Sequence, residues 1–386
     1  MAGSARAGAN MSLVYNDDER MLAEAARGFL QQNAPPAALR ALRDTRDTDG
    51  FSRDLWREMA ALGWAGMLVP EEYGGLGFAH TGAGILCEQA GRTLAASPLF
   101  ATAILGATLI REAGSAAQKQ ALLPAIAAGQ RLCALALDES ARHDPAGIAL
   151  VAHADGDAFR LSGEKILVLD GHVADTLVVA ARSRGVPGET HGISLFLAEA
   201  GSAGVTVERT VMVDSRNAAI ARFTDARGEL LGGLHEGWNA LERALDIGRI
   251  CLAAEMLGVA GEALARTVDY LRQRKQFGRA IGEFQALQHR AARLFCELEL
   301  TRSAVLRALR AIDEPGTALA PFASLAKVKA GDTATLAVNE AVQMHGGIGM
   351  TDEFEIGFFM KRAGALRQIF GDSYYHTDRY AALNGY

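Results

Sequence analysis

Two short segments carry more hydrogen-bonding chemistry than helix or loop formation requires. The first reads Tyr270-Leu271-Arg272-Gln273-Arg274-Lys275-Gln276-Phe277-Gly278 and continues through Glu283-Phe284-Gln285 to Gln288. Its spacing predicts a long helix ending at Phe277-Gly278 and another beginning near Glu283. Arg274 and Gln276 then fall at a helix C-terminus, with Gln285 and Gln288 in the first turns of the next helix. A planar guanidinium there can grip a pyrophosphate, and the amides can bond ribityl or heterocycle oxygens. The same residues also suit a helix C-terminus through its dipole alone, with the glutamines solvated. The second segment is Gln343-Met344-His345-Gly346-Gly347-Ile348-Gly349-Met350. Its glycines let backbone amides approach an anion closely, or they simply stop a helix.

The elements that must hold these segments show in the hydrophobic period, which changes twice. From Asn16 to Ala128 the pattern is helical, as in Met21, Leu22, Ala25, Ala26, Phe29 and Leu30, with Asn16 placed to cap the first turn and Glu19 three residues on. Pro70 and the glycines make Val69–Gly77 an ordered surface loop. From Gln130 to Asp225 short apolar runs recur: Leu132–Leu137, Ala158–Leu161, Thr176–Ala181, Ile193–Leu197, Val205–Arg209 and Ala219–Phe223. Turn chemistry at Asp155-Gly156-Asp157 and Ser162-Gly163 joins them as antiparallel strands of a sandwich or small barrel. From Glu236 the helical period returns in about four segments, which short connections pack as an antiparallel bundle. The expected fold is α+β: an N-terminal all-α domain over 1–128, a middle antiparallel β-domain over 129–230 and a C-terminal four-helix bundle over 231–386. No G-x-G-x-x-G loop follows a strand, which disfavours a nicotinamide-binding Rossmann domain.

A chain of 386 residues, 49% hydrophobic and 22% charged, is long enough for two or three globular domains. Its net charge of -6 argues against nucleic acid as a partner. The most apolar stretch, Leu99–Ile110, is shorter than a membrane span and carries Thr102 and Thr108, so it reads as a core helix and no membrane insertion is expected. Met1–Asn10 has one basic residue, Arg6, and no apolar h-region. It reads as a disordered extension, with Met11 as an alternative start and the cytoplasm as the expected compartment. Cys87, Cys133, Cys251 and Cys296 show no CxxC spacing and no His-rich neighbours, so they are expected to be buried and reduced, with no metal site.

Taken together, these features resemble the acyl-CoA dehydrogenase family of flavoproteins. The resemblance rests on the helix–sheet–helix order, the Val69–Gly77 loop, Gly163-Glu164-Lys165, Arg249, Arg274-x-Gln276-Phe277-Gly278, Phe284-Gln285 and Gln343-x-x-Gly346-Gly347-x-Gly349. It implies FAD between the β-domain and the bundle, and a homotetramer built as a dimer of dimers. One subunit's Arg274 and its Gln343–Gly347 region, with Gly346 and Gly347, would then reach its neighbour's FAD, Gln276, Phe277 and Gln285 would also bind the cofactor, and electron-transfer flavoprotein would be the electron acceptor. Leu137, Leu167, Leu169, Gly371 and Asp372 match the family's flavin-side positions, and Asp246 and Arg249 match positions near the acyl-CoA thioester and pantetheine. The implied reaction is α,β-dehydrogenation: a base takes the α-proton while the β-hydrogen leaves as hydride to the flavin.

The chain departs from that pattern where the chemistry happens. The family's usual glutamate falls on Phe370, and the alternative glutamate before the bundle arginine falls on Gly248. Neither accepts a proton. A threonine and a serine on the flavin side become Leu137 and His143, and Trp-Ile-Thr becomes Leu167-Val168-Leu169. Asp372, Asp246 and Asp138 are candidate replacement bases, each of which also reads as a surface or capping carboxylate. Arg142 and His143 are candidate phosphate ligands or idle loop residues, and His345 and His376 read as helix-end residues. The Phe370-Gly371-Asp372 ending and the Arg142-His143-Asp144 loop look like the branch of pimeloyl-CoA dehydrogenase small subunits and steroid-degrading relatives, several of which pair with a base-bearing homologue. Three readings therefore stand: a dehydrogenase with a relocated base, a catalytically silent subunit of a heteromer, and a flavoprotein with another activity on this scaffold.

Overall fold

The computed structural model describes residues 13–156 and 158–386. Met1–Asn10, the start at Met11 and Asp157 lie outside the described residues. Six helices come first: α1 (Asp17–Asn33), α2 (Pro36–Thr45), α3 (Arg53–Ala61), α4 (His80–Thr93), α5 (Ala107–Ala113) and α6 (Ala116–Ala127). The cap expected at Asn16 is present as a reciprocal box. The Asn16 side chain accepts from the Glu19 N–H at 2.8 Å, and Glu19 accepts from the Asn16 N–H at 2.9 Å. Leu99–Gly106 winds as a wide helix directly into α5 with every residue buried, so the most apolar run is core.

The sheet contains β1 (Cys133–Ala136), β2 (Val151–Asp155), β3 (Ala158–Lys165), β4 (Thr176–Arg182), β5 (Ile193–Glu199), β6 (Val205–Val211) and β7 (Asn217–Leu231). Pairings β4–β2, β2–β3, β3–β7, β7–β5 and β5–β4 close a small barrel, with β1 beside β4 and β6 beside β7. The expected antiparallel pattern holds for all but two pairs: β1–β4 and β2–β4 are parallel, because the β2–β3 hairpin intervenes and returns the chain in β1's direction. Strand β7 runs well past the expected Ala219–Phe223, since it bends across three partners and pairs in turn with β6, β3 and β5. Gly163-Glu164-Lys165 ends β3, and the β3–β7 register shifts between Leu161 and Gly163.

The C-terminal helices are α7 (Trp238–Gln273), α8 (Gln285–Asp313), α9 (Leu319–His345), α10 (Ile356–Gln368) and α11 (Ser373–Leu383). Helix α7 ends at Gln273, before the expected Phe277-Gly278. The following residues form a two-stranded hairpin, β8 (Lys275–Gln276) with β9 (Arg279–Ala280). Phe277 and Gly278, at φ 54° and 79°, make the two-residue turn that suits such a hairpin. The last helical segment breaks at Ile369–Asp372, giving three long helices and two shorter ones. Helix α7 is central because glycines let it touch α4 backbone to backbone. A Cβ on Gly258 would stand 1.9 Å from the Glu88 carbonyl oxygen, and one on Gly91 would stand 2.2 Å from that of Glu255. Cys87, Cys133 and Cys251 are buried free thiols, but Cys296 is exposed on α8, against expectation, because its position falls on the outward face. Among the described residues no metal-binding cluster occurs, and none of the helices is long and apolar enough to cross a membrane.

Candidate active site where barrel meets bundle

Arg249, fully buried on α7, is the hub of the junction between barrel and bundle. Its Nη1 donates to Asp246 at 2.8 Å and to Glu242 at 3.3 Å, and its Nε donates to the Phe370 carbonyl at 3.3 Å. Its Nη2 faces His143 Nε2 at 3.1 Å and Tyr375 Oη at 3.3 Å. Arg379 from α11 bonds the same two carboxylates, Glu242 and Asp246. Two guanidiniums thus neutralise one buried carboxylate, Asp246, and one half-buried carboxylate, Glu242, as charges withdrawn from water require. Burial raises the Glu242 carboxyl, but the Arg249 and Arg379 charges outweigh it and hold the group below its ordinary value. The Asp246–Arg249 ion pair, three residues apart on α7, is therefore part of a larger network.

His143 makes the second link. Its Nδ1 lies 2.9 Å from Asp138 Oδ1. A guanidinium only donates, so Nε2 accepts and Nδ1 carries the hydrogen toward Asp138. Burial lowers the imidazole below its ordinary value, outweighing the upward pull of Asp138, and keeps it neutral. The His143 ring packs against Phe370, with centroids 5.8 Å apart, and edge-on to Tyr375 at 5.2 Å. Beside it, Lys165 caps the end of β1, donating to the Leu137 carbonyl at 2.9 Å and to Glu139 at 2.7 Å.

The Ile369–Asp372 turn is held from three sides. Lys327 Nζ donates to the carbonyls of Leu366, Arg367 and Gly371, each at 3.0 Å. His376 Nε2 lies 3.0 Å from the Phe370 carbonyl, while its Nδ1 faces Ser324 Oγ at 3.2 Å. Phe370 and Gly371 adopt positive φ, 57° and 104°. Asp372 caps α11, accepting from the Tyr375 N–H at 2.9 Å. That bond favours the capping reading of Asp372, one of the two that the sequence leaves open.

Both vacant glutamate positions lie in one apolar seam. A Cβ on Gly248 would stand 2.8 Å from a Leu105 methyl and 3.6 Å from the Phe370 ring, so a side chain there would have to displace the end of Leu105. Leu137, Asp138, Leu167, Leu169, Leu105 and Phe370 line a space of about 10 Å³, hardly one water. On the other side of His143 opens a cavity of about 780 Å³, walled by Arg142, His143, Asp372, Tyr375, Asp378 and Arg379. Asp138 faces the seam and His143 faces the cavity, so their hydrogen bond spans the two.

The other half of the expected site gathers elsewhere. Arg274, Gln276, Phe277, Gln285, Gln343, Gly346 and Gly347 are all exposed. The Tyr270 ring, one turn before Arg274, stacks on His345 with centroids 4.5 Å apart, which brings the hairpin beside the end of α9. Phe277 is 91% exposed at the hairpin tip. From Arg249 to Gln273, α7 runs roughly 36 Å at ~1.5 Å per residue, so one dinucleotide does not touch both groups within one chain.

The helix–barrel–helix fold and this split site define a flavoprotein dehydrogenase scaffold, and the comparisons specify it. The acyl-CoA dehydrogenase N-terminal domain model matches residues 16–130, and the acyl-CoA dehydrogenase C-terminal domain model matches residues 235–382. A probable acyl-CoA dehydrogenase of Bacillus subtilis, YngJ, is 30% identical, the alignment covering 92% of this chain and 94% of that one. Among solved structures, a steroid acyl-CoA dehydrogenase variant, Tcur3481-Tcur3483 G363A, superposes with a TM-score of 0.87 at 32% identity, covering 95% of this chain and 98% of that one. Butyryl-CoA dehydrogenase of Megasphaera elsdenii gives 0.88 at 28% identity, covering 96% and 99%. The chain belongs to the acyl-CoA dehydrogenase family.

Members of that family are FAD flavoproteins, and the bundle-end residues suit FAD's anionic tail. A Cβ added at Gly278, Gly346 or Gly347 would meet nothing within 4 Å, which leaves the approach to the backbone open. The seam offers apolar walls in Leu137, Leu167 and Leu169, of which Leu167 is 45% exposed. Residue-type reasoning missed the roles of Glu242, Tyr375, Arg379 and Lys327. It also missed the bond joining Asp138 to His143, which it treated as separate candidates.

Proposed function

We propose that this chain carries out FAD-dependent α,β-dehydrogenation of an acyl-CoA thioester. The observation that carries the reading is the exposed cluster of Arg274, Gln276 and Phe277 beside Gln343, Gly346 and Gly347, set a helix length away from Arg249 and Phe370. A FAD held by both groups requires two protomers, one lending its bundle end to the crevice of the other. FAD, when bound, supplies the acceptor for the β-hydride. The chain's own residues do the rest: Arg274 grips the diphosphate, Leu137, Leu167 and Leu169 wall the ring, and the Phe370 N–H and Arg249 polarise the thioester oxygen as enolate charge develops. The working assembly is a homotetramer or a heterotetramer with a homologous subunit, in the cytoplasm, passing electrons to an electron-transfer flavoprotein. Incubation of the FAD-loaded chain with saturated acyl-CoA esters and an artificial electron acceptor tests this, by mass-spectrometric detection of the enoyl-CoA. Absence of product with every ester defeats it.

A second reading is a silent subunit whose homologous partner supplies the glutamate. It is favoured by Phe370 and Gly248 at both base positions and by the closed seam of about 10 Å³ between them. Under it, product forms only after mixing with a base-bearing homologue.

A further inference from the structure

Resting on the dehydrogenase reading, we propose that His143 Nε2 is the proton acceptor of this chain, with Asp138 as its positioning residue and Arg249 as the group that releases it to substrate. Four observations lead there. His143 Nδ1 is bonded to Asp138 at 2.9 Å, which fixes the tautomer and leaves Nε2 as the basic atom. The imidazole packs 5.8 Å from the Phe370 ring, which fills the place of the missing glutamate. The Asp138–His143 pair bridges the seam beside Leu167 and Leu169 and the large cavity walled by Arg142, Tyr375 and Arg379. Arg249 Nη2 donates to Nε2 at 3.1 Å, so the base is capped at rest by a donor that a thioester oxygen would compete for.

The step follows from that geometry. When the thioester carbonyl takes the Arg249 hydrogen bond, the Nε2 lone pair is freed. The Cα–H bond breaks, an N–H bond forms at Nε2, and the electron pair left on Cα delocalises onto the thioester oxygen beside the guanidinium. The resulting imidazolium keeps its Nδ1–H on Asp138, whose charge stabilises it. FAD, when bound, would supply the acceptor for the Cβ hydride, and as the Cβ–H bond breaks the Cα pair becomes the Cα=Cβ double bond. Asp372 and Asp246 are unavailable for this role, the first capping α11 and the second bonded to both Arg249 and Arg379.

The test separates proton abstraction from flavin reduction. The probes are β-thia-acyl-CoA thioesters of short, medium and long chain, whose α-carbon is acidic but which have no β C–H to give up. FAD-loaded wild-type chain in deuterium oxide is expected to exchange the α-hydrogens. His143→Gln keeps both hydrogen bonds, since its amide donates to Asp138 and accepts from Arg249, but it takes no proton. It should bind the probe and retain FAD as wild type does while losing exchange ~10²–10⁴-fold, with partial rescue by added imidazole. Asp138→Asn, which keeps the imidazole but loses the charge that fixes its tautomer and stabilises the imidazolium, should lose roughly 10–100-fold. Undiminished exchange in His143→Gln overturns the base assignment alone. No exchange by wild type with any probe overturns the base assignment and the dehydrogenase reading together.

Discussion

Arg249 Nη2 and His143 Nε2, 3.1 Å apart, tie the long helix of the bundle to the loop after the first barrel strand. The other guanidinium nitrogens are engaged as well, on Asp246, Glu242 and the Phe370 carbonyl. One residue therefore sets the distance between the two walls of the crevice and the tautomer of the imidazole that lines it.

Arg274 lies on the opposite, exposed end, where its backbone closes α7 on the Tyr270 carbonyl and accepts from the Ile281 N–H, bonds that truncation of the side chain leaves in place. Arg274→Ala is expected to weaken FAD retention at least tenfold while leaving the thermal midpoint of the apoprotein almost unchanged, since exposed substitutions usually stay within ~0.5 kcal/mol. Flavin absorbance after desalting, paired with a melting curve, measures both. Stoichiometric FAD in the variant contradicts the lending of this residue to a neighbour.

Lys327 is fully enclosed and uses all three ammonium hydrogens on the carbonyls of Leu366, Arg367 and Gly371. Burial, and then the Arg249 charge, lower it to about 7. Lys327→Met keeps the volume but orphans three buried carbonyls, a loss on the order of 2–4 kcal/mol. Hydrogen exchange at Ile369–Gly371 should quicken in the variant. Unchanged protection there would show that the turn stands without the clamp.

Asp170, near Asn217, Arg216 and Arg362, is raised from 3.8 to about 6, chiefly by burial. A carboxyl raised on folding holds its proton in the native chain between about pH 4 and 6, where the unfolded chain has lost it. Stability contributed by this group therefore falls as pH rises through that window, and the full cost is present at neutral pH. Asp170→Asn should match wild type near pH 4 and exceed it near pH 7 by on the order of 1–3 kcal/mol, a rise of a few degrees in melting temperature. A variant less stable than wild type at pH 7 contradicts this.

Local signals in the chain were readable. The Asn16 cap, the apolar core run at Leu99–Ile110 and the short apolar runs of the strands depend on neighbours in sequence, and the family motifs add the order of the domains. Phe277-Gly278 was misjudged as a helix end because Arg274-x-Gln276 is compatible with helix, and the positive φ of Phe277 has no signature in its residue type. The exposure of Cys296 depends on which face of α8 stays uncovered, something a cysteine's usual burial does not reveal. The site itself was least legible, since His143 and Arg249 lie 106 positions apart and meet only when the barrel docks on the bundle. Asp372 looked like a base from its closeness to Phe370, whereas a carboxylate opening a helix is drawn to cap it.

The central claim is that this chain's own crevice oxidises an acyl-CoA thioester with bound FAD. Its most direct test is anaerobic titration of the FAD-loaded chain with saturated acyl-CoA esters of varied length, followed by visible absorbance. The account predicts that at least one ester bleaches the oxidised flavin band; a band that persists with every ester, in a chain that has kept its FAD, contradicts it.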